Sequence, residues 1–324
     1  MRILMILVAF AAMAWGQAVP PLRLEKTIEM PDVQGRIDHL SIDVKGERLF
    51  VAALGNNTLE IIDLRAGRRA KTIGQLKEPQ GVRYVAETDR LYVANGGDGT
   101  VRIFHASSYA LLKTVDFGDD ADNLRYDPNH KKIYVGYGTG ALGEIDSEGN
   151  KVSDTKLDAH PESFQLENDS PRIYVNLPNS QKVVVVDREK HAVAATWGTG
   201  TSFANYPMAL DENEHRLFVV TRHSAQLLVF DTKSGTIIQN LPAVGDCDDV
   251  FYDSKRRRIY ASGGDGAISV FEQKDANHYT ELARIPTVKG ARTSFFSPEL
   301  DRLFLAVRRE GSQPAAIQVF APAR

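Results

Sequence analysis

The sequence predicts an all-β protein: a seven-bladed β-propeller of four-stranded antiparallel blades, with the ring closed by the N-terminal strand pairing into the last blade. Three observations predict it. A Leu or Ile followed by Phe or Tyr recurs seven times along the 324 residues. Turn signals divide each copy into four short strands, and the last copy lacks a fourth strand that the start of the chain can supply. No stretch carries the 3.6-residue apolar period of a long amphipathic helix.

The recurring pairs are Leu49-Phe50, Leu91-Tyr92, Ile133-Tyr134, Ile173-Tyr174, Leu217-Phe218, Ile259-Tyr260 and Leu303-Phe304, spaced by 40 to 44 residues. That period belongs to propeller blades. In the second copy, residues 81–85 form the first strand, and Glu87-Thr88-Asp89 make the turn. Residues 90–95 form the second strand, and Gly96-Gly97-Asp98-Gly99 a hairpin, because Asp-Gly tolerates the positive φ of a tight turn. Residues 100–104 and 110–115 complete the blade. The seventh copy stops after residues 317–320. Leu22-Arg23-Leu24-Glu25-Lys26-Thr27-Ile28 reads as its missing strand, matching Leu111-Leu112-Lys113-Thr114-Val115 of the second copy. Pairing the two ends leaves no open sheet edge there.

The first eighteen residues have a different composition. Arg2 precedes an uncharged apolar run from Ile3 to Ala14, followed by the small residues Gly16 and Ala18. This predicts a signal peptide over 1–18, a single propeller domain over 19–324, and export to a periplasm or the medium. No later segment is apolar enough to span a bilayer. The formal net charge of −3 argues against nucleic acid as a partner, since phosphate backbones need clustered cations. A small molecule or a protein is the expected partner, and a monomer the expected state. Cys247, the single cysteine, reads as a small buried apolar residue.

Leu91-Tyr92-Val93-Ala94-Asn95, the Gly-Asp-Gly-Thr-Val that follows, and the Asp-terminated strand Val183-Val184-Val185-Val186-Asp187 resemble the repeats of the YVTN β-propellers. Across residues 22–320 the chain is similar to the exported YncE-like propeller proteins. The resemblance implies an exported seven-bladed propeller. It implies no particular activity, because the repeat is a scaffold motif.

In such a scaffold the innermost strands begin around the mouth of the axial channel. Counting back ten residues from each aromatic pair gives His39, Gly81, Asn123, Ser163, Pro207, Asp249 and Thr293. One residue earlier stand Asp38, Gln80, Asp122, Glu162, Tyr206, Asp248 and Arg292. Arg36 and His160 lie just outside that ring, and Asn95, Tyr137, Arg222, His223, Arg308 and Arg309 on the second turns face the same way. The ligand-binding candidates are therefore Asp38, His39, Asp122, Asn123, Glu162, Tyr206, Arg222, Asp248 and Arg292, with Arg222 and Arg292 as receivers of an anion. Mouth clefts are the usual binding locus on such folds.

No cofactor is implied. Asp38, Glu162 and Asp248 are the oxygen donors for a divalent cation, should one bind. Two functions fit this set: a non-catalytic binding scaffold, or a metal-assisted lactonase- or lyase-like enzyme with His39 or His160 as base. Other matches fail on context. Gly138-Thr139-Gly140-Ala141-Leu142-Gly143 fits a dinucleotide fingerprint but leads into a strand, not a helix. The basic run Lys255-Arg256-Arg257-Arg258 reads as a solvated turn on the opposite face.

Overall fold

A computed structural model describes residues 19–323; the predicted signal peptide lies outside the described residues. Seven four-stranded antiparallel sheets form the seven blades. Their innermost strands are Leu40–Asp43, Pro79–Val85, Ala121–Asp127, Phe164–Leu166, Phe203–Asp211, Cys247–Asp253 and Ser294–Ser297. Among the described residues the only helical pieces are two three-residue 3₁₀ turns, Leu54–Asn56 and Pro178–Ser180, and no helix is long and apolar enough to cross a membrane.

The recurring pair works through the two-residue period of a strand, which points successive side chains to opposite faces. Each blade is covered on both faces, so both members of each pair are buried. The aliphatic member packs toward the preceding blade and the aromatic toward the following one. Leu91 joins Phe50 between the first and second blades, and Tyr92 joins Ile133 between the second and third. Tyr134 and Ile173 meet at the next junction, Tyr174 and Leu217 at the one after. Phe218 with Ile259 and Tyr260 with Leu303 follow. The apolar core is thus a series of inter-blade layers, and no blade shelters its own faces.

The ring closes as the sequence predicts. Leu22–Met30 pairs antiparallel with Ala315–Pro322 as the fourth strand of the last blade, with Ile28 opposite Ile317. Ile28 and Met30 then bury themselves against Leu49 and Val51 of the first blade, and Leu22 against Phe320 on the other face.

A second repeated device was not read from the sequence. The residue before each aromatic pair is a cation, and in five copies it reaches the backbone of the next blade. Arg48 donates to Ala106 O at 2.6 Å, Arg172 to Thr232 O at 2.9 Å, Arg216 to Ala276 O at 2.6 Å and Arg258 to Ala323 O at 2.7 Å; Arg90 donates to Ser147 O. The basic run at 255–258 belongs to this system. Arg256 bridges Asp253 at 3.0 Å and Asp301 at 2.6 Å, and donates to Ala323 O. Lys255 also reaches Asp301 at 3.3 Å, so three of the run's four cations are inter-blade struts.

Asp253 is buried, so losing Arg256 strands a carboxylate. Arg256→Ala is expected to destabilise the protein by about 2–4 kcal/mol, within the range for breaking one side of a buried ion pair. Urea unfolding measures it, and a change under about 0.5 kcal/mol, typical of an unremarkable surface site, contradicts the strut.

Candidate functional site at the channel mouth

The residues that begin the innermost strands are placed by a repeated irregularity. Strand pairing breaks register between Pro79 and Val82, Ala121 and Leu124, Asn205 and Met208, and Cys247 and Asp249. Such bulges leave a residue unpaired and turn it out of the ladder. Gln80, Asp122, Tyr206 and Asp248 occupy these breaks and point into the mouth. Neighbouring blades are tied at the same level: His39 N donates to Gln80 O at 3.3 Å, and Ser163 N to Tyr206 O at 3.3 Å. Gly81 has no alternative, since a Cβ there would sit 2.1 Å from the Asp122 carbonyl oxygen.

All nine sequence-derived candidates line one open cavity of about 620 Å³, together with Arg36, Gln80 and His160. Of the second-turn residues, Arg222 alone lines it. Asn95 is buried and braces its own hairpin through Thr100 O at 3.2 Å. Tyr137 donates to Asp154 at 2.7 Å. His223 packs on Phe203 at 5.0 Å, Arg309 turns to Pro31 O, and Arg308 lines a separate small recess. The sequence reading also missed Asp119, Asp120, Thr139 and Asn179, which line the same cavity. They come from connections of variable length that a fixed count from the pairs cannot reach; the acidic run Asp119-Asp120-Ala121-Asp122 was the available signal.

The charges divide into two arcs. On one, every acid has a guanidinium. Asp38 pairs with Arg36 at 2.5 Å. Asp248 receives Arg222 and, at 2.6 Å, Arg292; Arg292 also holds Asp246 at 2.8 Å. Arg222 lies over the Tyr206 ring at 3.8 Å. Arg222 and Arg292 are thus already engaged by carboxylates. Asp38 and Asp248 likewise do not join Glu162 in a common donor set.

On the other arc, Asp122, His160 and Glu162 each offer a ligand atom, all within 4.8 Å of one another. Among the described residues no arginine pairs with them. His160 Nδ1 meets Gly138 O at 2.5 Å, which leaves Nε2 facing Asp122 Oδ2 at 3.7 Å. A ring fixed through one nitrogen by a carbonyl is the usual posture of a metal-ligating histidine. Burial, then the Asp122 charge, raise the Glu162 pKa well above the ordinary carboxylate range, partly offset by His160. Burial lowers the His160 pKa, but Asp122 and the Gly138 carbonyl outweigh it and raise it to about 9.

His39 stands where the mouth narrows into the channel, 3.8 Å from Asp38 and 3.6 Å from Asp249. Burial opposes its charge, but Asp249 and Asp38 prevail and raise its pKa to about 10. Both histidines therefore carry a proton at pH 7, which suits holding charge and disfavours proton abstraction.

No protein-family model matches the chain, and no curated protein matches it. Solved structures share the architecture. A chain of Kuenenia stuttgartiensis hydrazine synthase is similar at 16% identity and a TM-score of 0.76, over 89% of this chain and 97% of that one. A chain of a mitotic checkpoint complex is similar at 13% identity and a TM-score of 0.78, over 100% of this chain and 99% of that one. At such identities the likeness is one of fold: a seven-bladed β-propeller.

Proposed function

We propose that the protein is an exported propeller of the YVTN/YncE-like kind, acting outside the cytoplasm as a binding scaffold. It holds a small cation at the channel mouth, either a divalent metal ion or an organic ammonium group. The observation that carries this is the cluster of Asp122, His160 and Glu162, whose ligand atoms converge without an arginine among the described residues pairing with them. It lies in a cavity lined by six carboxylates but three arginines. With the arginines spent on Asp38, Asp246 and Asp248, the remaining acid field favours a cation. Export rests on the leader-like composition of residues 1–18, and the family on the repeat residues quoted above.

A second reading shares the same three residues: a metal-assisted lactonase or lyase, in which the bound ion polarises a carbonyl. The protonated state of His39 weighs against it, because that ring is not free to act as base at neutral pH; His160 gives up its proton to hold an ion in either reading.

Calorimetric titration of the purified protein with manganese, zinc, calcium and 1,4-diaminobutane tests the reading. One of these cations is expected to bind, and Asp122→Asn or Glu162→Gln to weaken it at least tenfold, the equivalent of one charge-assisted contact. Absence of binding by all four probes, or binding indifferent to both substitutions, rejects it.

A further inference from the structure

Below the mouth the character of the channel reverses. In each blade one innermost-strand residue stands opposite the recurring aromatic, and in six of the seven it lines the axial channel. Running round the ring these are Ser41, Arg83, Arg125, Gln165, Ala209, Phe251 and Phe295, opposite Phe50, Tyr92, Tyr134, Tyr174, Phe218, Tyr260 and Phe304. One side of this ring is cationic and polar; the other is Ala209 with Phe251 and Phe295, whose rings meet edge to face at 5.8 Å. Six of the seven line an axial cavity of about 280 Å³, and His39 and Asn123 line both it and the mouth.

Arg83 and Arg125 are the two cations of this ring. Neither has a carboxylate partner among the described residues. Arg83 makes no hydrogen bond through its buried Nε. Arg125 is held by Leu124 O at 2.9 Å and by weak contacts to Asn123 and Ser163, with its plane against Phe164 at 5.4 Å. The acids whose charge reaches them are already used: Asp249 accepts from Ser294 N at 2.8 Å and faces His39, Asp122 faces His160, and Glu299 accepts from Ser297 Oγ at 3.0 Å. Burial, then the charge of Arg83, lower the Arg125 pKa to about 10. Two charged guanidiniums are therefore kept side by side in a confined space, which is costly unless an anion joins them.

We infer that the axial channel is a second binding site, for a small organic carboxylate. Its acid group bridges Arg83 and Arg125, and its apolar body lies against Phe251 and Phe295. The forked guanidinium donors match a carboxylate geometrically, and the aromatic arc excludes water from the rest of the ligand. This site is independent of the cation at the mouth.

Calorimetry with benzoate, benzyl alcohol and inorganic phosphate separates the contributions. Benzoate is expected to bind at least tenfold more tightly than the uncharged alcohol or the ringless phosphate. Arg83→Met is the decisive variant, because that guanidinium has no partner to strand; it is expected to keep the wild-type fold, melt no earlier, and lose benzoate affinity at least tenfold. Phe251→Leu is expected to narrow the preference for benzoate over acetate. The inference is overturned if benzoate fails to bind, if phosphate binds as well as benzoate, or if Arg83→Met retains full affinity.

Discussion

A chain that begins at Pro31 is expected not to form a closed, cooperative ring. The truncation removes Leu22–Met30, the whole outer strand of the last blade. Leu22, Ile28 and Met30 are each nearly inaccessible, and burying one such side chain stabilises by about 1.5–3 kcal/mol. Together they contribute roughly 5–9 kcal/mol, against a total stability of about 5–15 kcal/mol for a typical domain. The loss is not local. Ile28 and Met30 belong to the layer that joins the last blade to the first, so the seam of the ring opens. The exposed edge of Ala315–Pro322 then becomes a template for pairing with other chains. Urea unfolding with size-exclusion chromatography measures both effects: a broad or absent transition, and association. Adding a peptide that spans residues 19–30 is expected to restore a monomeric species. If the truncated chain unfolds in one sharp transition within about 1 kcal/mol of the full one, ring closure is not what holds this protein together.

That seam was legible in the sequence for a physical reason. A blade with two buried faces must repeat an adjacent pair of apolar side chains, because neither face can be given over to water. Leu49-Phe50 and its six equivalents state this demand directly. The struts were not legible. Arg48 and Arg216 look like ordinary cations at a turn, and only the approach of the next blade turns them into donors to Ala106 O and Ala276 O.

The mouth was legible to the extent that topology alone determines it. Residues one blade apart, such as Asp122 and Glu162, come together because neighbouring innermost strands begin side by side. Which acid meets which cation depends on the bulges and on side-chain reach, neither of which has a sequence period. Hence the sequence grouped Asp38, Glu162 and Asp248, whereas the fold gives Asp38 and Asp248 to arginines and leaves Glu162 with Asp122 and His160. The inner ring shows the same limit. Arg83 and Arg125 sit at equivalent positions of successive blades, yet nothing in the sequence tells that no acid reaches them.

The charges at the channel neck carry a consequence for stability. The protein without bound cation is expected to lose stability steadily from about pH 4 to pH 10, by an amount on the order of 2–4 kcal/mol. His39 is raised from 6.5 to about 10, so its contribution is complete below pH 6.5 and disappears as the pH rises through 10. Asp38 acts in the same direction. Burial raises its pKa from 3.8 to about 6 despite His39 and Arg36, so the fold prefers its neutral form and stability falls as it ionises. At the acid end the sign reverses: Arg256 holds Asp301 down to about 2, and that contribution is lost as the pH falls below the ordinary carboxylate value. Maximum stability is therefore expected near pH 4, where Asp301 is ionised and Asp38 is still neutral. His39→Gln flattens the limb between pH 7 and 10 even though it lowers stability overall, which distinguishes its titration from its packing. A cation at Asp122, His160 and Glu162 opposes the trend, because those ligands bind it better as they lose protons. The gap between loaded and unloaded melting temperatures therefore widens with pH. A melting temperature that is flat from pH 6 to 10, or a slope unchanged in His39→Gln, would show that the neck does not hold its charge as the distances to Asp38 and Asp249 require.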